Sequence, residues 1–277
     1  MTRAGPDTGV EPSRRRTARL RWLLPVLVFA AVVAGWELFV WLDDTPHYVL
    51  PGPWLVVRTL IADAGLLFSA LLLTLEVTGL ALVVAVIGGV GLAVLFNQFR
   101  MLELSLYPYA VILQVTPVIA IAPLIVIYVD SRILSTLICA WLVAFFPILS
   151  NTSLGLNSAD HNLHDLFTIH RATRWQRLRY LLLPSALPYF LGGLRIAGGL
   201  ALIGAVVAEY AVGVVGTQGG LAFRILEAGY RLNIPRMFAA LLLLAAAGVV
   251  IFVSLSLLSH LLLRRWHESA VGRERER

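Results

Sequence analysis

Six long apolar segments, separated by short polar connections, dominate the chain. They cover roughly residues 23–42, 68–96, 105–128, 133–150, 186–211 and 237–263. A helix needs about 20 mostly apolar residues to cross a bilayer core of roughly 30 Å, and an open sheet edge cannot face lipid. The pattern therefore predicts an all-α integral membrane protein with six transmembrane helices.

Composition supports a membrane protein and excludes several other classes. Of the 277 residues, 59% are hydrophobic and 14% are charged, whereas a soluble domain is nearer to half apolar and a quarter charged. This balance excludes a disordered chain, a disulfide scaffold and a typical soluble enzyme. All 22 basic residues are arginine. The missing lysine excludes a Walker A phosphate loop, so any ATP that drives this protein must be bound by another subunit.

The arginines are distributed unevenly between the two sides of the predicted membrane. Sixteen lie in the N-terminal segment, the C-terminal tail and the connections after the second and fourth segments; five lie on the opposite side, namely Arg58, Arg132, Arg224, Arg231 and Arg236. Connections rich in arginine face the cytoplasm. We therefore predict cytoplasmic N- and C-termini, with a basic N-terminal segment (1–22), a six-helix domain (23–263) and a cytoplasmic tail (264–277).

The longest predicted cytoplasmic loop, residues 151–183, carries helical periodicity. Its apolar residues Leu163, Leu166, Phe167 and Ile169 precede a basic run, and Asp160 or Asn162 is placed to cap a helix. Periodicity alone leaves two interpretations open. The short amphipathic helix sits in the groove of a partner protein, or it lies on lipid headgroups with its arginines facing anionic lipid.

The end of this loop resembles the EAA signature of ATP-binding-cassette (ABC) importer permeases. That pattern is E-A-A, three residues, G, nine residues, I, any residue, L, P. Aligned on Leu183-Pro184, it places Leu181 at the isoleucine and Arg171 at the glycine. Asp165-Leu166-Phe167 then occupies E-A-A. The acid is conservative, whereas both alanines and the glycine are replaced.

Further segments in the same order resemble motifs of the nitrate, sulfonate and taurine branch of that family. They lie at residues 50–53, 116–124, 145–156, 184–197 and 208–209. The resemblance covers residues 50–263 and implies a six-helix permease of a type I ABC importer in the bacterial cytoplasmic membrane. It also implies two copies of an ABC ATPase, an extracytoplasmic solute-binding protein and a second permease copy, most simply in a homodimer. ATP and Mg are then expected on the ATPase, with no cofactor on this chain.

In such permeases the loop helix couples transport to the ATPase. Carried onto this sequence, the resemblance predicts that the coupling surface comprises Asp165, Leu166, Phe167, Ile169, Arg171, Ala172, Arg174, Trp175, Leu183 and Pro184.

Polar residues inside apolar segments are candidates for the substrate pathway, because burying them in a membrane is costly. Gln114 and Thr116 flank a helix break expected at Pro117. Phe145 is placed to stack on a flat ring, although aromatic side chains more commonly pack in the core. Glu209 is a candidate for the pathway or a gate; its alternative is a structural acid that caps the glycine-rich backbone after it.

Other functions receive less support from the sequence. A stand-alone secondary transporter or channel is the alternative, but it predicts inverted repeats and opposed charges at mid-span. His161, His164, Asp165 and His170 have no fixed further ligand nearby, so we predict no metal site. No catalytic motif is present, and we predict a transport subunit rather than an enzyme. A sulfonate, nitrate, a pyrimidine thiamine precursor and a riboflavin-like compound all remain possible substrates.

Overall fold

The computed structural model describes residues 12–212 and 219–267, and within these ranges every regular element is a helix. In chain order the helices are α1 (Pro12–Leu42), α2 (Pro53–Ala62), α3 (Ala64–Gln98), α4 (Arg100–Val115), α5 (Val118–Tyr128), α6 (Arg132–Leu156), α7 (His161–Ile169), α8 (Arg174–Arg177), a π-helical turn (Leu178–Leu182), α9 (Leu183–Val212), α10 (Leu221–Tyr230) and α11 (Ile234–His267).

The predicted all-α, multi-span fold is confirmed. In the described ranges, five helical stretches are long and apolar enough to cross a membrane, and α4 with α5 makes a sixth if the two count as one crossing. The helices are longer than the apolar segments: α3 begins at Ala64 and α6 continues to Leu156. The connection between α6 and α9, predicted to start at residue 151, therefore starts only at residue 157. The extreme ends, residues 1–11 and 268–277, lie outside the described residues.

The third predicted segment, 105–128, is not one straight helix. The break expected at Pro117 is present, and α4 and α5 meet there at an angle of 100°. Thr116 has φ −72° and ψ 121°, the extended conformation that a following proline favours. Pro117 has no N–H to continue the hydrogen-bond ladder of α4. The two residues together account for the sharp turn.

Pro184, which the sequence places just after the loop 151–183, does not interrupt the helix. The helix continues from Arg174 through the π-helical turn into α9. In the turn, the Leu183 N–H bonds to the Leu178 carbonyl five residues earlier. A π turn inserts one extra residue into a helix, which makes room for the ring of Pro184 where a regular α-helix would clash.

Small residues hold α6 against α3 on one side and α9 on the other. A Cβ atom added to Gly204 on α9 would lie 2.7 Å from the Ala140 Cα on α6. One added to Gly89 on α3 would lie 2.9 Å from Ile148 Cγ2. Real side chains do not tolerate such distances, so glycine at these positions permits the close helix packing that membrane domains rely on.

Helix α1 lies at the edge of the domain. None of its apolar stretch Leu23–Leu42 is buried within the chain. The Glu37 side chain reaches the start of α2, where a Cβ on the N-cap residue Gly52 would lie 3.0 Å from Glu37 Oε2. A carboxylate at a helix N-terminus is stabilised by the helix dipole, which explains an acid near the end of an apolar helix.

Candidate functional site

The polar connection between α6 and α9 folds into an elbow, residues 157–182, whose two short helices are capped by their own sequence. The Asp160 carboxylate accepts the Asn162 N–H at 2.8 Å and caps α7. At α8, Thr173 and Gln176 form a reciprocal capping box, with distances of 3.2 and 2.8 Å. Such caps fix helix starts by satisfying free N–H groups. The prediction of a short capped helix is confirmed, with Asp160 as the cap.

Arg171 adopts a left-handed backbone conformation at the end of α7, with φ 52°. Its N–H bonds to the Thr168 carbonyl at 3.0 Å, and the Ala172 N–H bonds to the Phe167 carbonyl at 2.9 Å. These two bonds define a Schellman motif, in which this position is usually glycine. The glycine of the EAA pattern therefore corresponds to a backbone requirement, and Arg171 meets it at a cost of about 1 kcal/mol.

Several of the predicted coupling residues form an exposed surface on the elbow. Leu166 is 47% exposed, Ile169 76% and Trp175 65%. Asp165 and Arg174 are exposed beside them. Large apolar side chains grouped in the open mark an interaction surface. Helix α7 is not among the candidate membrane crossings, whereas Trp175 lies at the start of the candidate crossing Arg174–Ala211.

Other predicted coupling residues face inward or lie on the helix that follows. Phe167 is half-buried and packs against a core cluster that includes Leu156, Leu178 and Leu182. Leu183 is 38% exposed, and Pro184, next to it, is half-buried at the start of α9. Phe167 thus anchors α7 to the base of α6, and the elbow is fixed to the membrane domain by a buried apolar contact.

A cavity of about 410 Å³ lies at the break between α4 and α5. Gln114, Thr116 and Pro117 line it together, and apolar residues of α6 and α9 such as Leu142 and Ile203 face them. Gln114 and Thr116 carry the only side-chain polar groups of the lining. A mostly apolar cavity of this size with a few polar groups is typical of a site for a small organic ligand. Three of the predicted pathway residues are thereby brought together.

Phe145 lies apart from this cavity. It is 8% exposed and belongs to the main core cluster. Its ring centroid lies 5.2 Å from that of Trp141, and a Cβ on Gly88 would lie 3.6 Å from its ring. The structure therefore places Phe145 in the packing between α3 and α6, and its role in the pathway stays a prediction.

Glu209 is buried near the carboxyl end of α9 and holds the start of α10. Its Oε1 accepts the Thr74 hydroxyl at 2.7 Å, and its Oε2 accepts the Ala222 N–H at 2.9 Å. The Thr74 oxygen in turn accepts the Leu221 N–H at 2.8 Å. A Cβ on Gly220 would collide with the carboxylate. This geometry agrees with the structural interpretation, an acid that caps the backbone after it, and the pathway role of Glu209 stays a prediction.

Thr74 is the residue of this network that the sequence analysis missed. It is fully buried in α3 and also bonds to the Ala70 carbonyl at 3.3 Å, a bond that threonines in helices make commonly. Only the long-range bond from Thr74 to Glu209 shows the role of Thr74, and no sequence pattern predicts that bond. Glu76, two residues later, lines a neighbouring cavity of about 120 Å³ together with Arg132 and Glu209.

The fold and the site define a class of protein. A helical membrane domain with a broken crossing beside a cavity has the architecture of a transport protein, because irregular backbone at membrane depth is tolerated where it lines a cavity.

The family follows from comparison with known proteins. The family model described as "binding-protein-dependent transport system inner membrane component" matches residues 85–268, and the chain belongs to this family. It is 36% identical to the riboflavin transport system permease protein RibX of Chloroflexus aurantiacus, covering 97% of this chain and 100% of that protein. It is 34% identical to the formylaminopyrimidine transport permease protein ThiX of Halalkalibacterium halodurans, covering 87% of this chain and 95% of that protein.

A solved structure, described as the crystal structure of an amino acid ABC transporter with histidines, shares the fold. The TM-score is 0.60 at 19% identity, and the match covers 75% of this chain and 97% of the other. The protein is therefore the permease subunit of an ABC importer, a transport component rather than an enzyme. It functions in the membrane with an ATPase and a solute-binding protein.

Proposed function

We propose that this permease admits a small, planar, uncharged organic solute to the cytoplasm. The cavity at the α4–α5 break carries this proposal, because its lining holds one amide and one hydroxyl but no cationic side chain. An inorganic or sulfonate anion in an apolar cavity needs paired charges or several hydrogen-bond donors. A ring compound needs apolar walls and a few polar contacts.

Two of the similar permeases support the same choice. Their names specify riboflavin and a formylaminopyrimidine, and both compounds contain a planar nitrogen-containing ring. We expect riboflavin or a pyrimidine, presented by the cognate binding protein, to stimulate ATP hydrolysis by the reconstituted complex. Stimulation by an alkyl sulfonate alone would contradict the proposal.

Gln114 provides a direct test of the cavity. Gln114→Leu removes the amide while keeping a similar volume, and we expect it to lower uptake of the ring compound without lowering ATPase binding. Leu113→Met, a volume-conserving change beside it in the same lining, is the matched control and should leave uptake near the wild-type rate. Equal uptake by the Gln114→Leu variant and the wild type would remove this cavity from the pathway.

We further propose that the elbow is where the ATPase docks. The exposed apolar side chains Leu166, Ile169 and Trp175 give the contact its packing, and Asp165, Arg171 and Arg174 give it charge. ATP and Mg are bound by the partner, since a chain without lysine cannot form a Walker A loop. Two copies of the permease, each bound to one ATPase, complete the assembly.

A matched pair of charge insertions tests the docking site. Ile169 is 76% exposed on the elbow, and Leu232 is 73% exposed in the turn between α10 and α11. Ile169→Glu should abolish co-purification of the ATPase with the permease, whereas Leu232→Glu should leave it intact. Normal transport and full ATPase binding by Ile169→Glu would exclude the elbow from coupling.

Orientation is tested with the same two positions. The single native cysteine, Cys139, is fully buried and gives little background labelling. If both termini are cytoplasmic, a membrane-impermeant maleimide added to intact cells should label Leu232→Cys at once and Ile169→Cys only after permeabilisation. The reverse pattern would invert the topology.

A further inference from the structure

A second cavity, of about 370 Å³, lies between the elbow and the ends of α3 and α6. Its lining includes two arginines, two histidines and two asparagines: Arg174, Arg177, His161, His164, Asn97 and Asn157. We propose that this cavity binds a phosphate-bearing anion, either the headgroup of an anionic phospholipid or a free phosphorylated solute.

The arginine and histidine side chains of the lining converge because of their spacing. Arg174 and Arg177 are three residues apart on α8 and therefore lie on one face of that helix. His161 and His164 have the same spacing on α7. The Asn97 amide donates to the Asn157 side-chain oxygen at 3.3 Å, which joins the ends of α3 and α6 in one wall. None of the lining side chains is a carboxylate, so an anion would meet no like charge there.

Arg177 also leaves a hydrogen-bond donor unused. Its Nη2 donates to the Thr168 hydroxyl at 3.2 Å, whereas its Nε is buried without a partner in the described part of the chain. A buried donor without an acceptor is costly, and nearly all such groups in proteins are satisfied. The oxygens of a phosphate group suit a guanidinium, which can donate two parallel bonds to them.

The competing explanation is that the arginines only neutralise helix ends. The carboxyl ends of α3 and α6 each carry roughly half a negative charge. Together they offset about one of the two guanidinium charges, and the cavity stays positive. Within the described ranges, the Arg177 side chain donates one hydrogen bond. Its acceptor is the Thr168 hydroxyl rather than a helix-end carbonyl. Asp160 already caps α7, so that helix end adds little positive potential.

The test uses the permease purified with its ATPase partner in lipid nanodiscs, and it has two arms. In the first, native mass spectrometry measures phosphatidylglycerol retained from mixed phosphatidylcholine and phosphatidylglycerol discs. In the second, pyrophosphate is titrated against the complex in phosphatidylcholine discs. Arg177→Gln and His164→Gln remove donors from the cavity. Arg179→Gln, a loss of the same charge at an exposed position outside the lining, is the control.

We expect the wild type and Arg179→Gln to bind one probe or both, and Arg177→Gln to bind about tenfold more weakly, as for loss of a hydrogen bond to a charged group. Retention in the first arm alone identifies a lipid headgroup. Pyrophosphate binding that Arg177→Gln weakens identifies a free phosphorylated solute, because the nucleotide site of the ATPase binds pyrophosphate equally in every variant. If Arg177→Gln does not fold, weakened binding by His164→Gln carries the same conclusion. Binding of neither probe by the wild type, or wild-type binding by both cavity variants, would overturn the proposal.

Discussion

Replacing Arg171 by glycine should stabilise α7. Arg171 has φ 52° at the last turn of a Schellman motif, a conformation that costs an ordinary L-residue about 1 kcal/mol and glycine almost nothing. Losing the positive charge near the carboxyl end of α7 reduces this gain by a few tenths of a kcal/mol. The reduction is small because Arg171 is exposed to solvent. The net gain is therefore roughly 0.5–1 kcal/mol in the free energy of opening α7.

Arg171→Ala separates the two contributions. Alanine removes the charge but keeps a Cβ atom, and hence the left-handed strain. The difference between the glycine and alanine variants isolates the backbone term, about 1 kcal/mol, which corresponds to roughly fivefold slower exchange of the α7 amide protons.

Hydrogen exchange with mass spectrometry on peptides that cover residues 161–173 provides the measurement, and peptides from α6 serve as the internal reference. Leu232 has the same backbone, with φ 54°, at the end of α10, so Leu232→Gly against Leu232→Ala should show the same ordering there. Equal exchange in the two Arg171 variants, or faster exchange in the glycine variant, would refute the assignment of the EAA glycine to a backbone requirement.

Three helix contacts can be tested by further substitutions. Glu209→Leu should lower the free energy of unfolding by about 2–4 kcal/mol, because buried donors on α3 and α10 lose their acceptor; denaturation in mixed micelles measures it. Gly204→Ala should cost about 1–3 kcal/mol through overpacking against α6, whereas Gly199→Ala, where a Cβ meets nothing within 4 Å, should stabilise α9 by about 0.5–1 kcal/mol; thermal unfolding in detergent compares them. Asp63→Asn should cost about 1 kcal/mol and reduce the salt dependence of stability, since Arg236 bonds to both Asp63 oxygens, at 2.6 and 3.1 Å.

Each of these variants has an informative control. Glu209→Gln keeps one acceptor, so it should fall between Glu209→Leu and the wild type; a fully stable Glu209→Leu would show that the network adds nothing. If Gly204→Ala and Gly199→Ala change the free energy of unfolding in the same direction, the close contact at Gly204 does not limit how near α9 lies to α6. Thr59→Ala, in α2, removes a hydroxyl that bonds locally to the Leu55 carbonyl and should leave the salt dependence unchanged.

The membrane helices were accessible from sequence because burial in lipid imposes a simple pattern. Length and apolarity alone locate α3, α11 and the start of α6 to within a few residues, and capping rules place the start of α7 at Asp160 or Asn162, of which the structure shows Asp160. These features depend on local physics: backbone groups must be satisfied within the helix, and a helix end needs an acceptor for its free N–H groups.

The remaining features depend on tertiary contacts and escaped prediction for that reason. A proline at position 117 predicts a break, but the 100° angle depends on how α5 packs against α6 and α9. Pro184 marks the end of the predicted loop, and the sequence does not show that the π-helical turn before it keeps the helix continuous. Phe145 was a pathway candidate from its residue type and Thr74 was not a candidate at all. The fold places Phe145 in the core and shows that Thr74 bridges α3, α9 and α10.

The continuous helix that starts in the elbow has a mechanical consequence. It runs 38 residues from Arg174 to Ala211, a length of about 57 Å at 1.5 Å per residue. Trp175, near one end, and Glu209, near the other, therefore belong to a single rod, and a tilt of about 5° moves one tip by about 5 Å relative to the other. A displacement of the helix at Trp175 is therefore transmitted to the hydrogen bonds between Thr74 and Glu209, unless the helix bends at the π-helical turn.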